Sequence, residues 1–300
     1  MLKPTLYTPT DWVDYELIDS GNFEKLERFG NYILARPEPQ ALWQKSLSDS
    51  EWQQRADAYF RRDKNSDDRG EWRLKRNMPQ QWFVEYRYKK MALKMRLGLT
   101  SFKHVGIFPE QAVNWNFIYD NIEKLRSKGV DNVNVLNLFA YTGGASLAAR
   151  SAGASVTHVD SVKQVVTWSR ENLEASSLDS IRWIVEDARK FVKKEVKRSK
   201  KYHGIILDPP AYGRGADGER WILEQDIYEL LTDCAQLLEK DGFLVLNLYS
   251  MGLSALLSRG LINQLFKRDD IEFGELFFND NFGKVLPLGV YSRLAAKINR

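Results

Sequence analysis

The chain has 300 residues, 43% of them hydrophobic and 28% charged, which suits a water-exposed globular protein with a real core, in one large domain or two modest ones. Its 44 Lys and Arg against 40 Asp and Glu leave a net charge of +4, which excludes a histone-like polycation and an acidic tail but permits local basic surfaces. One cysteine excludes an intramolecular disulfide framework and a zinc ribbon, and with 3 histidines no metal site is expected.

The reducing cytoplasm is the expected compartment. The opening MLKPTLYTPTDW has no apolar h-region and no long apolar run follows, so neither a signal peptide nor a membrane span is expected. Residues 1–100 read as a small β-rich N-terminal subdomain, with strand-like alternation in Asn31–Ala35 and Gln81–Tyr86 and an exposed polar loop near 61–70. Residues 109–128 have helical spacing, their stripe of Val113, Phe117, Ile118, Ile122 and Leu125 ending at Gly129.

Beyond Asp131 the pattern becomes βαβ. Strands are expected at 133–139, 155–159, 181–185, 202–207 and 242–248, with helices at 145–152, 162–175, 222–238 and 253–267 between and after them. Segments 271–278 and 285–294 read as a closing antiparallel pair. The fold class is therefore α/β, a Rossmann-like, mostly parallel sheet over residues 101–300. Ligands in such folds bind at the carboxyl ends of the strands.

Polar signals fall at those ends. The first strand runs into Phe139-Ala-Tyr-Thr-Gly-Gly-Ala-Ser146, where glycines admit close backbone approach to a ligand. The second ends at Asp160 and Ser161, the third at Glu186-Asp187-Ala188 and the fourth at Asp208-Pro-Pro-Ala-Tyr212. Taken singly, a glycine pair is a common turn, an aspartate a helix cap and two prolines a rigid corner. Four in succession point to a nucleoside-type cofactor, with Asp160 placed for ribose hydroxyls. NAD fits less well, because the G-x-G-x-x-G fingerprint is missing and a pyrophosphate would be poorly cradled.

The runs NLFAYTGGASLAA, THVDSVKQVVTWSRENLEASSL, EDARKFV and IILDPPAYGRG resemble class I S-adenosylmethionine-dependent methyltransferases of the bacterial large-subunit ribosomal RNA type. The resemblance covers residues 100–300. It implies S-adenosyl-L-methionine as cofactor, held by Phe139, Tyr141, Thr142, Gly143, Gly144, Asp160, Ser161, Asp187, Ala188 and Asp208, with Gln111 in addition. It also implies that Asp208, Pro209 and Tyr212 face the target. The segment Lys103-His-Val-Gly-Ile-Phe-Pro-Glu-Gln111 is similar to the family's Gly-x-Phe-x-Asp-Gln. Two departures stand out: Glu110-Gln-Ala112 replaces Asp-Gln-Arg, and the RNA-binding PUA module has no recognisable counterpart.

The expected reaction is methylation of RNA, at a base nitrogen of ribosomal RNA. A protein or small-molecule methyltransferase, or a non-catalytic RNA-binding or assembly factor with the same fold, are the alternatives. Carbon-5 chemistry needs a cysteine nucleophile, and Cys234 lies among Ile227, Leu230, Leu231 and Leu238 at core spacing. After the fifth strand, Ser250 and Met251 supply no thiol. His104 and His158 are given no role. The run Arg189–Lys201 carries 8 basic residues and one acid, and through Lys193, Lys194, Lys197 and Lys201 it is expected to track RNA phosphates, the alternative being a solvated helix face. Arg87, Lys89, Lys90, Lys94 and Arg96 form a second basic group.

Overall fold

The computed structural model describes residues 3–63, 69–75, 77–215, 218–249 and 252–297. The first elements are β1 (Thr5–Tyr7), β2 (Tyr15–Gly21), β3 (Glu24–Phe29), β4 (Tyr32–Pro37), α1 (Asp49–Arg55), β5 (Ala58–Arg62), β6 (Gly70–Leu74), β7 (Gln81–Tyr88) and β8 (Met91–Gly98). Next come α2 (Ala112–Ser127), β9 (Asn134–Leu138), α3 (Gly144–Ser151), β10 (Ser155–Asp160), α4 (Lys163–Ala175), β11 (Ile181–Val185), α5 (Ala188–Lys197) and β12 (Tyr202–Leu207). The last are β13 (Tyr212–Arg214), β14 (Arg220–Ile222), α6 (Leu223–Leu237), β15 (Leu238–Leu248), α7 (Ala255–Phe266), β16 (Ile271–Asn279) and β17 (Val285–Leu294). Two compact units result: Thr8–Glu110 with Phe277–Leu288, and Met1–Tyr7 with Gln111–Leu276 and Gly289–Arg300.

The first of these units holds a five-stranded sheet in the order β2-β3-β4-β5-β6 and the hairpin β7-β8. Alternation in β7 turns Trp82, Val84 and Tyr86 inward and Phe83, Glu85 and Arg87 outward, as period-2 patterning requires. Part of the polar stretch near 61–70, residues 64–68, lies outside the described residues. Inside the unit Glu27 is fully buried, but Arg36 Nε lies 2.6 Å from its carboxylate and Tyr15 Oη donates to it at 2.7 Å. A buried charge persists only when paired in this way.

The second unit is built on an eight-stranded sheet ordered β1-β16-β17-β15-β12-β9-β10-β11. The five strands from β15 to β11 are parallel, while β17 pairs antiparallel with β15. This is the mostly parallel sheet with antiparallel closure that the hydrophobic runs imply. The three-residue β1, too short for periodicity to reveal, adds the edge by pairing parallel with β16.

From β9 the chain builds outward through β10 and β11, then returns to place β12 and β15 on the other flank. The strand order therefore reverses between β9 and β12, and the crevice of such a sheet opens at that point. Leu136, Leu138, Ile205, Leu207, Leu244 and Leu246 anchor the core beneath it, packed with Leu230, Leu231 and Leu237 of α6. Each such side chain contributes roughly 1.5–3 kcal/mol by leaving water.

Candidate active site

The loop after β9 is an unusual piece of backbone. Phe139 (φ 53°), Tyr141 (φ 49°) and Gly143 (φ 92°) all adopt left-handed conformations, which cost non-glycine residues energy and persist only where the surroundings enforce them. At Gly144 the constraint is contact: a Cβ there would lie 2.5 Å from Cζ2 of Trp115 in α2.

Polar groups under the loop supply the enforcement. Asp160 accepts the Tyr141 amide through Oδ2 and the Val162 amide through Oδ1, both at 2.9 Å. Ser169 Oγ donates to the Tyr141 carbonyl at 2.7 Å, and Asn172 Nδ2 to the Thr142 carbonyl at 2.9 Å. Deeper, His158 is fully buried with Nδ1 3.0 Å from Ser146 Oγ, which accepts from Asn137 Nδ2 at 2.9 Å. Burial pushes the imidazole down to about 3, so it is neutral near pH 7 and acts as a fixed polar strut.

In front of the loop lies an open cleft, lined among others by Phe139, Asp160, Ser161, Glu186, Asp187, Ala188 and Trp221. Desolvation raises the Asp160 carboxyl above its ordinary range, against the two amide bonds it accepts. Asp187 caps α5 by accepting the Lys190 amide at 3.0 Å, and Glu186 pairs with Lys194. The cleft is thus rich in acceptors. A carboxylate that already takes two amides still offers lone pairs to hydroxyls. Adenosine, with ribose hydroxyls and an amino group to donate, fits such a lining; a pyrophosphate would face three carboxylates.

Beyond the cleft, β12 delivers Asp208. Its Oδ1 accepts from Asn247 Nδ2 at 2.8 Å, and burial pushes its carboxyl up to about 6 despite that bond. Asn247 is 2% exposed and its Oδ1 has no partner among the described residues. Pro209 is buried, and the Pro210 carbonyl accepts Trp221 Nε1 at 2.7 Å. Tyr212 is 51% exposed.

A crystal structure of an S-adenosylmethionine (SAM)-dependent methyltransferase from Agrobacterium tumefaciens superimposes with a TM-score of 0.87 at 37% identity, covering 98% of this chain and 94% of that one. The chain belongs to the SAM-dependent methyltransferases. The family model described as "Conserved hypothetical protein 95" matches residues 114–256 of this methyltransferase. SMU.776, a methyltransferase complexed with SAH, shares the fold with a TM-score of 0.70 at 18% identity, covering 95% of this chain and 76% of that one. The ribosomal RNA large subunit methyltransferase K/L of Shewanella frigidimarina is 31% identical over 186 residues, 59% of this chain. The chain spans 25% of that curated relative's length.

Of the residues expected to hold the cofactor of this methyltransferase, Phe139, Asp160, Ser161, Asp187 and Ala188 line the cleft. Tyr141, Thr142, Gly143 and Gly144 form the adjoining loop and are absent from the cleft lining, as is Asp208. Gln111 is also outside that lining; at the head of α2 its Oε1 accepts Asn114 Nδ2 at 2.8 Å. Sequence reading missed Trp221, Ser169, Asn172 and Asn247. Their partners lie 11, 28, 30 and 39 residues away, and no local pattern announces such pairs.

Cys234 is fully buried in the core of this unit, and burial pushes its thiol well up. Ser250 and Met251 lie outside the described residues. Along α5, Lys193 pairs with Glu229 at 2.7 Å, Lys194 with Glu186 and Lys190 with Glu219. Arg189 pairs with Asp226 at 2.7 Å, Lys201 donates to the Gln236 carbonyl at 2.7 Å, and Lys197 is exposed. In the other unit, Arg87, Lys89, Lys90 and Lys94 are exposed on the β7-β8 hairpin. Among the described residues no group of acids, cysteines and histidines has the makings of a metal site, and no helix is long and apolar enough to cross a membrane.

Proposed function

We propose that this methyltransferase transfers its methyl group to a base nitrogen of ribosomal RNA. The observation that carries the proposal is Asp208: a half-buried carboxylate, its basicity raised by burial, held by Asn247 and followed by a rigid Pro-Pro corner and the outward-facing Tyr212. The name of the Shewanella relative, a ribosomal RNA large subunit methyltransferase, supports the choice of substrate.

Bound S-adenosylmethionine supplies an electrophilic methyl group on a sulfonium. In this reading Asp160 accepts the ribose hydroxyls, Asp187 and the Ala188 amide meet the adenine, Phe139 and Ser161 wall the adenosine, and Tyr141, Thr142, Gly143 and Gly144 receive the methionine end. Gln111 supports that end from the head of α2. An exocyclic amine is a weak nucleophile, because its lone pair is conjugated with the base. Asp208 Oδ2 and the Pro209 carbonyl accept its two hydrogens, which orients the lone pair and stabilises the positive charge developing on nitrogen; as the nitrogen–methyl bond forms and the sulfur–methyl bond breaks, Asp208 Oδ2 takes the proton the nitrogen loses. Tyr212 stacks on the unstacked base, worth about 1–3 kcal/mol. A cytoplasmic setting accompanies a ribosomal substrate.

Mass spectrometry of ribosomal RNA nucleosides from cells with and without the protein tests the reading. A methylated-amine nucleoside that disappears with the protein is the expected result; unchanged nucleosides would overturn it.

A further inference from the structure

The hairpin β13-β14 carries more charge than its fold needs. Its register sets Tyr212 opposite Ile222, Gly213 opposite Trp221 and Arg214 opposite Arg220. One face is anchored: Trp221 is 3% exposed, bonds the Pro210 carbonyl and packs on Phe139 with ring centroids 4.9 Å apart. Leu223 N donates to the Ala211 carbonyl at 3.0 Å, and Ile222 N to Asp226 Oδ2 at 2.8 Å, so the hairpin is tied at its base.

The other face presents Tyr212 between two guanidinium groups. Arg214 Nε donates to Tyr212 Oη at 3.1 Å, and the Arg220 guanidinium carbon lies 5.9 Å from the Tyr212 ring centroid. All three side chains are exposed.

Like charges directly opposite each other on a two-stranded ribbon destabilise it. Here neither arginine has a carboxylate partner among the described residues, although Glu219, next to Arg220 in sequence, is nearby and pairs instead with Lys190. Four cations of α5 are treated in the opposite way, with Asp226, Glu219, Glu229 and Glu186 set against Arg189, Lys190, Lys193 and Lys194. The fold therefore sets a carboxylate against each of the first four cations of the long basic run, whereas among the described residues none is set against the two cations that flank the exposed Tyr212.

We propose that Tyr212, Arg214 and Arg220 form a nucleotide clamp, in which the ring takes the face of the target base and the two guanidiniums take the phosphates on either side of it. Arginine suits the task, since its planar fork binds phosphate in two-pronged fashion and stacks on aromatic faces. The occupant is a single-stranded or locally opened stretch of RNA, because a base inside a duplex offers no free face to the ring. This clamp rests on the ribosomal RNA reading above and assigns to the β13-β14 hairpin the phosphate contacts that charge counting assigns to α5.

The test measures binding of deproteinised large-subunit ribosomal RNA, from cells lacking the protein, across a salt series. Three proteins are compared: wild type, the double variant Arg214→Gln/Arg220→Gln, and a quadruple variant with Lys193, Lys194, Lys197 and Lys201 replaced by Gln. The double variant is expected to flatten the slope of log affinity against log salt by about 1.4, or about 0.7 per single-strand phosphate contact. The quadruple variant is expected to keep the wild-type slope. Thermal melting separates a clamp from a structural role: relief of the opposed charges leaves the double variant at least as stable as wild type. A wild-type slope in the double variant, or a flattened slope in the quadruple variant alone, overturns the clamp and leaves the RNA reading intact. A wild type that neither binds nor methylates the RNA overturns both.

Discussion

Asn247 Nδ2 donates a 2.8 Å hydrogen bond to Asp208 Oδ1 across the adjacent strands β15 and β12, fixing the carboxylate while its other oxygen stays available. The bond favours the ionised form, whereas burial favours the neutral one, and burial prevails. Asn247→Ala removes the donor that steadies the charge, so the Asp208 pKa should climb further. The acid limb of the pH–rate profile should move to higher pH in the variant, with SAH affinity by calorimetry unchanged. A profile that coincides with wild type would show that Asn247 does not position Asp208.

Asp208→Asn should expose a conflict between stability and turnover. In the folded protein the carboxyl titrates near 6, above its ordinary value of 3.8, so between those pH values the folded state holds a proton that the unfolded state has lost. Stability from this group is therefore fully present below about 4 and falls as pH rises through about 6, by up to ~3 kcal/mol. The amide has no such liability. Asp208→Asn should melt higher than wild type at pH 8 and lose that advantage at pH 4, while single-turnover methyl transfer falls by about a hundredfold or more.

Asp160→Ala should weaken SAH binding by roughly 1.5–3 kcal/mol, as for hydrogen bonds to a charged group. Part of the loss is indirect, because Asp160 also restrains Tyr141 and Val162. Ser169→Ala, which releases the Tyr141 carbonyl while leaving the Asp160 carboxylate in place, isolates that indirect share; a smaller loss, by a few-fold in affinity, is expected from calorimetry.

Gly144→Ala should displace Trp115, since the new methyl group would sit 2.5 Å from its ring. Overpacking of this kind costs about 1–3 kcal/mol. The expected outcome is a lower melting temperature together with weaker SAH binding, because the strained loop starts the same helix. A variant with wild-type melting and affinity would show that α2 yields freely.

Cys234→Ala should leave methyl transfer intact, its thiol being sealed in the core. Only packing is lost, so a modest drop in stability is expected. A covalent adduct with 5-fluoropyrimidine RNA that disappears in this variant would overturn the assignment of a nitrogen target.

The succession β9, β10, β11, β12 and β15 along the chain was legible in the sequence because buried parallel strands write themselves as short apolar runs, and the turns that end them must carry glycine, proline or acid, whereas the order of those strands in the sheet and the short β1, β13 and β14 were not. For the same local reason Asp160, Asp187 and Asp208 stood out at strand ends, and Cys234 at helical core spacing. Only the tertiary structure could bring Asn247 to Asp208, Ser169 under Tyr141 and Trp221 under Pro210, since each pair joins segments whose separation in sequence holds no information about their distance in space. Charge was the least legible property. The run from Arg189 to Lys201 is conspicuous in one dimension, yet Glu186, Glu219, Asp226 and Glu229 meet it from outside its own helix, whereas Arg214 and Arg220 look ordinary until the ribbon sets them face to face. A local electrostatic field is the sum over whatever packs nearby, and that sum exists only once the chain has folded.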